Sequence, residues 1–220
     1  MIKISGTNKT ACLLLLFASF LTSCSKEDVK PEPRFNILNN TSLTFEYYFD
    51  FEDIGQMPVN KIDMDIKEYK FKGKDYFAFS YSGGTKPAFT YSHNDDILEY
   101  NFLPIRYEDG NYYELRGNHE LIILKDNIKV GDSWSSDFHL ENDEVITTFS
   151  FKVLEKYAVY EEFGIKYNDV FVLQETLSGS NTSNELVSLH YYNYKNGIIR
   201  REIPMYVSGT YGPITFNRIK

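Results

Sequence analysis

Apolar and polar residues alternate with period two over most of the chain. Leu43, Phe45, Tyr47, Phe49 and Phe51 fall on one side and Thr44, Glu46, Tyr48, Asp50 and Glu52 on the other, the pattern of a half-buried β-strand. Ile62, Met64 and Ile66 alternate with Asp63, Asp65 and Lys67. The apolar set then passes to Tyr69 and Phe71, a change of parity that predicts a β-bulge. Lys72-Gly73 turns the chain into Phe77, Phe79 and Tyr81, and Gly83-Gly84 ends that strand. Residues 88–92 and 97–102 read as a hairpin around His93-Asn94-Asp95-Asp96. Asp109-Gly110-Asn111 is the strongest short turn signal, with a strand on either side.

The second half reads the same way. Val145, Thr147, Phe149, Phe151 and Val153 alternate cleanly. Val153, Leu154, Tyr157, Ala158 and Glu161 also fit helical spacing, but Tyr157 and Val159 keep the strand parity, and a strand or bent strand is expected. Residues 170–175 and 185–194 make two more strands, Asn196-Gly197 carries a type I′ hairpin signal, and residues 198–203, 205–208 and 214–218 close the chain. About a dozen short strands with close turns predict an all-β fold: a single antiparallel domain, built as a strongly curved sheet or an open barrel.

The N-terminus has a different pattern. Residues 1–23 hold Lys3 and Lys9, no acid, and an apolar run of about ten residues from Ala11 to Phe20. These are the parts of a secretory signal, and the run is too short to span a bilayer. Leu21-Thr22-Ser23-Cys24 resembles the bacterial lipobox, in which the Cys thiol becomes a lipid thioether and the first residue of the mature protein. That resemblance implies lipidation at Cys24, with acyl chains enough for a stable anchor. Ser25-Lys26-Glu27-Asp28 resembles the short acidic export signal of Bacteroidota lipoproteins. It implies an outer-membrane protein displayed at the cell surface; the alternative is the periplasmic leaflet. The expected organisation is a signal over 1–23, the lipidated Cys and a solvated Pro-containing tether over 24–35, and a β domain over 36–220.

Composition narrows the chemistry. Cys12 leaves with the signal and Cys24 is consumed by lipid, so the mature chain keeps no cysteine for a disulfide, a thiolate metal site or a thiol nucleophile. Two of the 23 Lys and Arg lie in the signal, leaving 21 against 31 Asp and Glu, a net charge of about −10. That argues against nucleic acid and against broad contact with anionic headgroups. The four histidines lack metal-ligand spacing, Asp63 and Asp65 share one strand face without further support as an acid pair, and neither a Gly-x-Ser-x-Gly nor a phosphate loop occurs. No catalytic residue, metal or cofactor is expected.

The remaining signal is aromatic: 18 Tyr and 17 Phe against one Trp. A glycan, peptide or lipid ligand, or an envelope protein partner, is expected on a tyrosine-bearing face, with Tyr191, Tyr192, Tyr194 and Trp134 as candidate contacts. Lys129-Val130-Gly131-Asp132-Ser133-Trp134, Gly164 to Val170, Tyr191-Tyr192 and Asn196-Gly197-Ile198-Ile199-Arg200 occur in an order that resembles uncharacterised Bacteroidota lipoproteins of unknown function. The resemblance covers about residues 121–203. It implies a curved antiparallel sheet, and the family offers no catalytic residues to carry over. Tyr194-Lys195-Asn196 departs from it, since a smaller residue is expected before the glycine turn. Physically the motifs are structural: Gly131 and Gly197 supply positive φ, Asp132 serves turn amides, and Trp134 and the Tyr pair cover the sheet. A periplasm-facing carrier that wraps an apolar molecule in its curved sheet and a hydrolase of envelope polymers are the alternatives. The first requires a continuous apolar concave face, the second a convergent acid pair in a cleft.

Overall fold

The period-two segments fold as strands. The computed structural model describes residues 32–37, 41–51, 55–56, 59–85, 103–139, 145–179, 185–207 and 210–219. They belong to one unit, Glu32–Lys220. Its strands are β1 (Ser42–Phe51), β2 (Gly55–Gln56), β3 (Asn60–Phe71), β4 (Lys74–Gly84), β5 (Ile105–Glu108), β6 (Asn111–Arg116), β7 (His119–Lys125), β8 (Ser133–His139), β9 (Val145–Glu162), β10 (Ile165–Gly179), β11 (Leu186–Asn193), β12 (Gly197–Val207) and β13 (Thr210–Arg218). No helix occurs among the described residues. Every pairing is antiparallel, in the order β7-β6-β5-β4-β3-β1-β13-β12-β11-β10-β9-β8, and β2 pairs only with β1.

The two ends of this path, β7 and β8, are consecutive in the chain and meet again in space. Trp134 Nε1 on β8 donates to the Ile122 carbonyl on β7 at 2.6 Å, and the rings of His119 and Phe138 lie 4.4 Å apart. The sheet is therefore a nearly closed, strongly curved barrel. Curvature of this kind shelters edge strands, whose free N–H and C=O groups otherwise invite pairing with another chain.

Turns follow the local chemistry where two residues suffice. Lys72-Gly73, Asp109-Gly110 and Phe163-Gly164 all have both φ values positive, the type I′ geometry that matches strand twist. Gly131 is also at positive φ, and Asp132 Oδ2 accepts from Lys129 N at 2.8 Å, as that motif suggests. Asn196-Gly197 is different. Gly197 pairs with Asn193, the turn is the three residues 194–196, and Asn196 N donates to the Asn193 side chain at 2.9 Å. The side chain of Asn193 captures the amide that a two-residue turn would use. Gly197 has φ 73°, and a Cβ there would stand 2.8 Å from Ile37 Cα and 2.9 Å from the Asn36 carbonyl. Gly197→Ala is expected to cost about 1–3 kcal/mol through backbone strain and this collision. A urea midpoint equal to that of the unmodified chain would contradict it.

The expected bulge near Lys67 is absent. β3 and β4 stay in register from Met64 to Phe71, and the irregularity lies between Asp63 and Met64. Tyr69 and Phe71 change parity because they face outward, where Tyr69 packs 6.3 Å from Tyr76. The ambiguous window after Val153 is strand throughout, inside the 18-residue β9. The hairpin expected over 88–102 lies outside the described residues.

Leu43, Phe45 and Tyr47 point inward with Phe79, Tyr112, Phe151, Leu173, Tyr192 and Phe216 to form one aromatic core. The segment before β1 also enters it. Phe35 is fully buried. It lies edge-on to Tyr112 (5.9 Å), Phe171 (6.0 Å) and Tyr192 (6.3 Å), and 4.5 Å from Tyr194. Its amide donates to the Tyr112 hydroxyl at 2.7 Å, and Arg34 N donates to Asp126 Oδ1 at 3.0 Å. The expected tether is thus shortened at its end. Residues 32–35 are part of the domain, because one large apolar side chain among charged residues gains more from burial than composition suggests.

Candidate functional site

Inward positions of a barrel are normally apolar. Here five of them carry ionisable side chains. On β6, Glu114 and Arg116 lie on one face. Glu175 on β10 follows Phe171 and Leu173 at inward parity. His190 on β11 follows Ser188, and Arg201 lies on β12. Glu114 is 1% exposed, Arg201 3%, His190 4% and Glu175 6%.

The arrangement crosses the barrel, because β6 is hydrogen-bonded to none of β10, β11 or β12. Arg116 donates through Nη1 and Nη2 to the two oxygens of Glu175, at 2.5 and 2.9 Å, and through Nε to Glu114 Oε1 at 2.7 Å. Arg201 Nη2 donates to Glu114 Oε2 at 3.1 Å. His190 Nε2 lies 2.9 Å from Glu175 Oε2. The Arg116 guanidinium also covers the Phe149 ring at 4.5 Å. Bidentate guanidinium–carboxylate geometry supplies direction as well as attraction. The network ties the β6 end of the sheet to β10, β11 and β12 through the interior.

These groups line a cavity of about 210 Å³. Glu114, Arg116, Glu175, Ser188, His190 and Arg201 form its polar wall, and Leu103 and Ile203 complete it. His190 Nδ1 is buried without a hydrogen-bond partner among the described residues, an unusual state for a buried polar atom.

Burial would raise the pKa of Glu114, but Arg116 and Arg201 overcome it and hold the carboxyl below the usual range. For Glu175 burial is likewise outweighed, by Arg116 and by His190. His190 is pushed below the ordinary histidine value by burial, which outweighs the Glu175 hydrogen bond. At neutral pH the lining is therefore two carboxylates, two guanidiniums and a neutral imidazole.

A pH dependence follows. A histidine with a depressed folded pKa binds its proton more readily when unfolded, so the stability tied to it is present above about pH 6.5 and falls as pH drops. The lowered carboxyls act in the same direction: Glu114, Glu175 and Glu120, the last held at about 2 by Arg106, cost further stability below pH 4.5. The urea midpoint should fall between about pH 7.5 and about pH 5.5. His190→Gln should flatten that step and leave the acidic one. A midpoint that rises on acidification would contradict the assignment.

The aromatic residues singled out from the sequence do not share a face. Tyr192 is buried in the core beside Phe35, and Tyr194 packs on Phe35 and, at 5.4 Å, on Phe171. Tyr191 faces outward, 5.3 Å from Tyr160 and under the Arg200 guanidinium. Neighbours on a strand point to opposite sides, so a stacking face built from Tyr191 and Tyr192 together does not form. Trp134 works at the seam, stacked 5.7 Å from Phe151. Cys24 and residues 25–28 lie outside the described residues. Asp63 accepts from Thr44 Oγ1 at 2.6 Å, away from the cavity. Among the described residues no group of three or more His, Cys, Asp or Glu is placed to hold a metal ion. From the sequence only His190, in its tyrosine-rich strand, is a candidate for a binding face; Glu114, Arg116, Glu175 and Arg201 are not, although Glu175 sits at the apolar parity of Phe171 and Leu173.

No protein-family model and no curated protein matches the chain. Among solved structures, it resembles a protein assigned as exported, with a YmcC-like fold, from Bacteroides fragilis, at TM-score 0.40 and 10% identity over 80% of this chain and 92% of that one. It also resembles a protein assigned as a lipoprotein from Parabacteroides distasonis, at TM-score 0.35 and 8% identity over 86% of this chain and 98% of the other.

Proposed function

We propose that this chain is a lipid-anchored envelope protein that binds a small polar ligand inside its β-barrel and does not transform it. The observation that carries the reading is the cavity itself: five ionisable side chains from four strands converge on about 210 Å³. The lipobox around Cys24 and the acidic Ser25 to Asp28 support anchoring in the outer membrane and surface display.

The alternatives fare less well. A carrier of apolar cargo needs an unbroken apolar concave face, whereas Glu114, Arg116, Glu175, His190 and Arg201 interrupt it and core side chains occupy the rest. A hydrolase needs one carboxyl that keeps its proton as a general acid. Glu114 and Glu175 do line the same cavity, but both are held ionised by arginine. Native mass spectrometry of the mature protein, extracted gently from its envelope, tests the reading. A retained small-molecule adduct that is lost in Arg201→Ala supports it. A bare protein mass under every extraction condition sinks it.

A further inference from the structure

We infer that the free edge of β9 pairs with the same edge of a second copy of this chain, in an antiparallel register centred on Val159. The inference is independent of the cavity and of any ligand in it.

β9 outruns the strand beside it. β8 pairs with it only from Val145 to Lys152. Val153 is the last residue served from that side, its carbonyl accepting from Gly131 N and its amide donating to the Asp132 carbonyl, both at 2.9 Å. From Glu155 to Glu162 the strand is paired with β10 alone among the described residues, so alternate residues turn their N–H and C=O groups outward. Neither proline nor glycine interrupts the stretch. Residues 155–159 are all exposed, Val159 at 58%. Lys156, the kind of charge that guards an edge, is tied to Asp169 on β10 at 2.7 Å.

The edge is also held in place. The ribbon's other side is fastened to the barrel. Asn193 Nδ2 donates to the Asn168 carbonyl, and the Tyr167 hydroxyl donates to the Arg218 carbonyl at 2.9 Å. Tyr160 packs 5.3 Å from Tyr191, and Arg200 reaches Glu162 at 2.9 Å. A rigid edge gives up little freedom when a strand adds to it.

Hydrogen bonding and charge choose the register. Residues directly opposite in an antiparallel ladder are both bonded across or both not, and the two kinds alternate along a strand. A two-fold pairing must therefore set some residue opposite its own copy. Centred on Ala158, it faces Glu155 with Glu161, like charges, twice. Centred on Tyr157 or Tyr160, it makes no charge pair within residues 155–162. Centred on Val159, it sets Lys156 opposite Glu162 and Tyr157 opposite Glu161, each twice, with no like charges opposed. A carboxylate has two oxygens and an ammonium three hydrogens, so Glu162 and Lys156 can each take this second partner. A bilayer core is the poorer occupant, because it offers edge amides no hydrogen bonds.

Pulsed EPR on the lipidated protein in vesicles tests the pairing. The sulfur of lipidated Cys24 is a thioether, so nitroxides attach only to introduced cysteines. Glu155→Cys and Phe163→Cys are labelled separately; both sites are exposed and stand four residues either side of Val159. The expected result is the same label-to-label distance from each, about 26 Å, for eight residues at about 3.3 Å. A register centred on Tyr157 would instead give about 13 and about 40 Å. Val159→Lys, which opposes two like charges at the centre, should abolish both distances and leave the melting temperature unchanged, since the position is exposed. Unequal distances, or distances that survive Val159→Lys, would overturn the pairing. So would the absence of any distance, and amides of residues 155–162 protected from exchange only in intact envelopes would then assign the edge to a different protein.

Discussion

Glu114→Ala should lower the stability of the domain by about 3–5 kcal/mol, the usual cost of removing one partner of a buried ion pair. The Glu114 carboxylate is the joint of the internal network, with Arg116 Nε at 2.7 Å and Arg201 Nη2 at 3.1 Å. Arg116 would keep Glu175, its bidentate partner, but Arg201 would lose a carboxylate in a place where water hardly reaches it. The loss is expected to come from that stranded charge more than from the missing attraction. Two companions separate these terms. Glu114→Gln keeps an acceptor and should cost less. Joint replacement of Glu114, Arg116, Glu175 and Arg201 by apolar residues of similar volume should cost less than Glu114→Ala, because it leaves no buried charge and strands only neutral partners such as His190 Nε2. Urea midpoints at constant slope measure all three. A loss below about 1 kcal/mol for Glu114→Ala would mean that water or the Tyr192 hydroxyl supports Arg201 once the carboxylate is gone.

Phe35→Ala should cost about 3–5 kcal/mol, the range for a buried phenylalanine cut to alanine. The ring touches β6, β10, β11 and the turn after β11, elements far apart in the chain. Little can collapse into its place, because the surrounding rings are themselves held: Tyr112 by the Phe35 backbone and by Asp126, 3.1 Å away, and Phe171 within its strand ladder. For a domain of this size each kcal/mol lowers the melting temperature by roughly 2–4 °C, so a drop of about 10 °C is expected. The same logic applies to truncation. A chain starting at Asn36 should melt about as low as Phe35→Ala, while one starting at Glu32 should melt like the mature protein. Equal melting temperatures for all of these would show that the segment is dispensable and that the domain begins after it.

The sequence made legible what is local. Leu43, Phe45 and Tyr47 share the inward face as their alternation implies. Asp109-Gly110 turns as its two residue types demand. Strand parity carried β9 through a window that helical spacing also fitted. The same reasoning misplaced the bulge of β3, since a change of apolar parity can mean that a strand buries its other face as well as that it slips register. Tyr191 and Tyr192 are both candidate contacts from the sequence, although such a set of tyrosines cannot all lie on one side of a sheet, and parity puts the two on opposite faces.

By itself, then, the sequence determined the β class, the tight glycine turns and the secretory and lipobox pattern at the N-terminus. Each of these depends on residues within a few positions of one another. Tertiary structure alone decided the near closure of the barrel at Trp134 and Ile122, the burial of Phe35, and the meeting of Glu114 and Arg116 with Glu175, His190 and Arg201. Those partners stand 59 to 87 residues apart across the Arg116–Glu175 and Glu114–Arg201 pairs. A charged side chain at inward parity costs free energy until its counter-charge arrives from the far side of the barrel, and sheet order, not local pattern, brings it there.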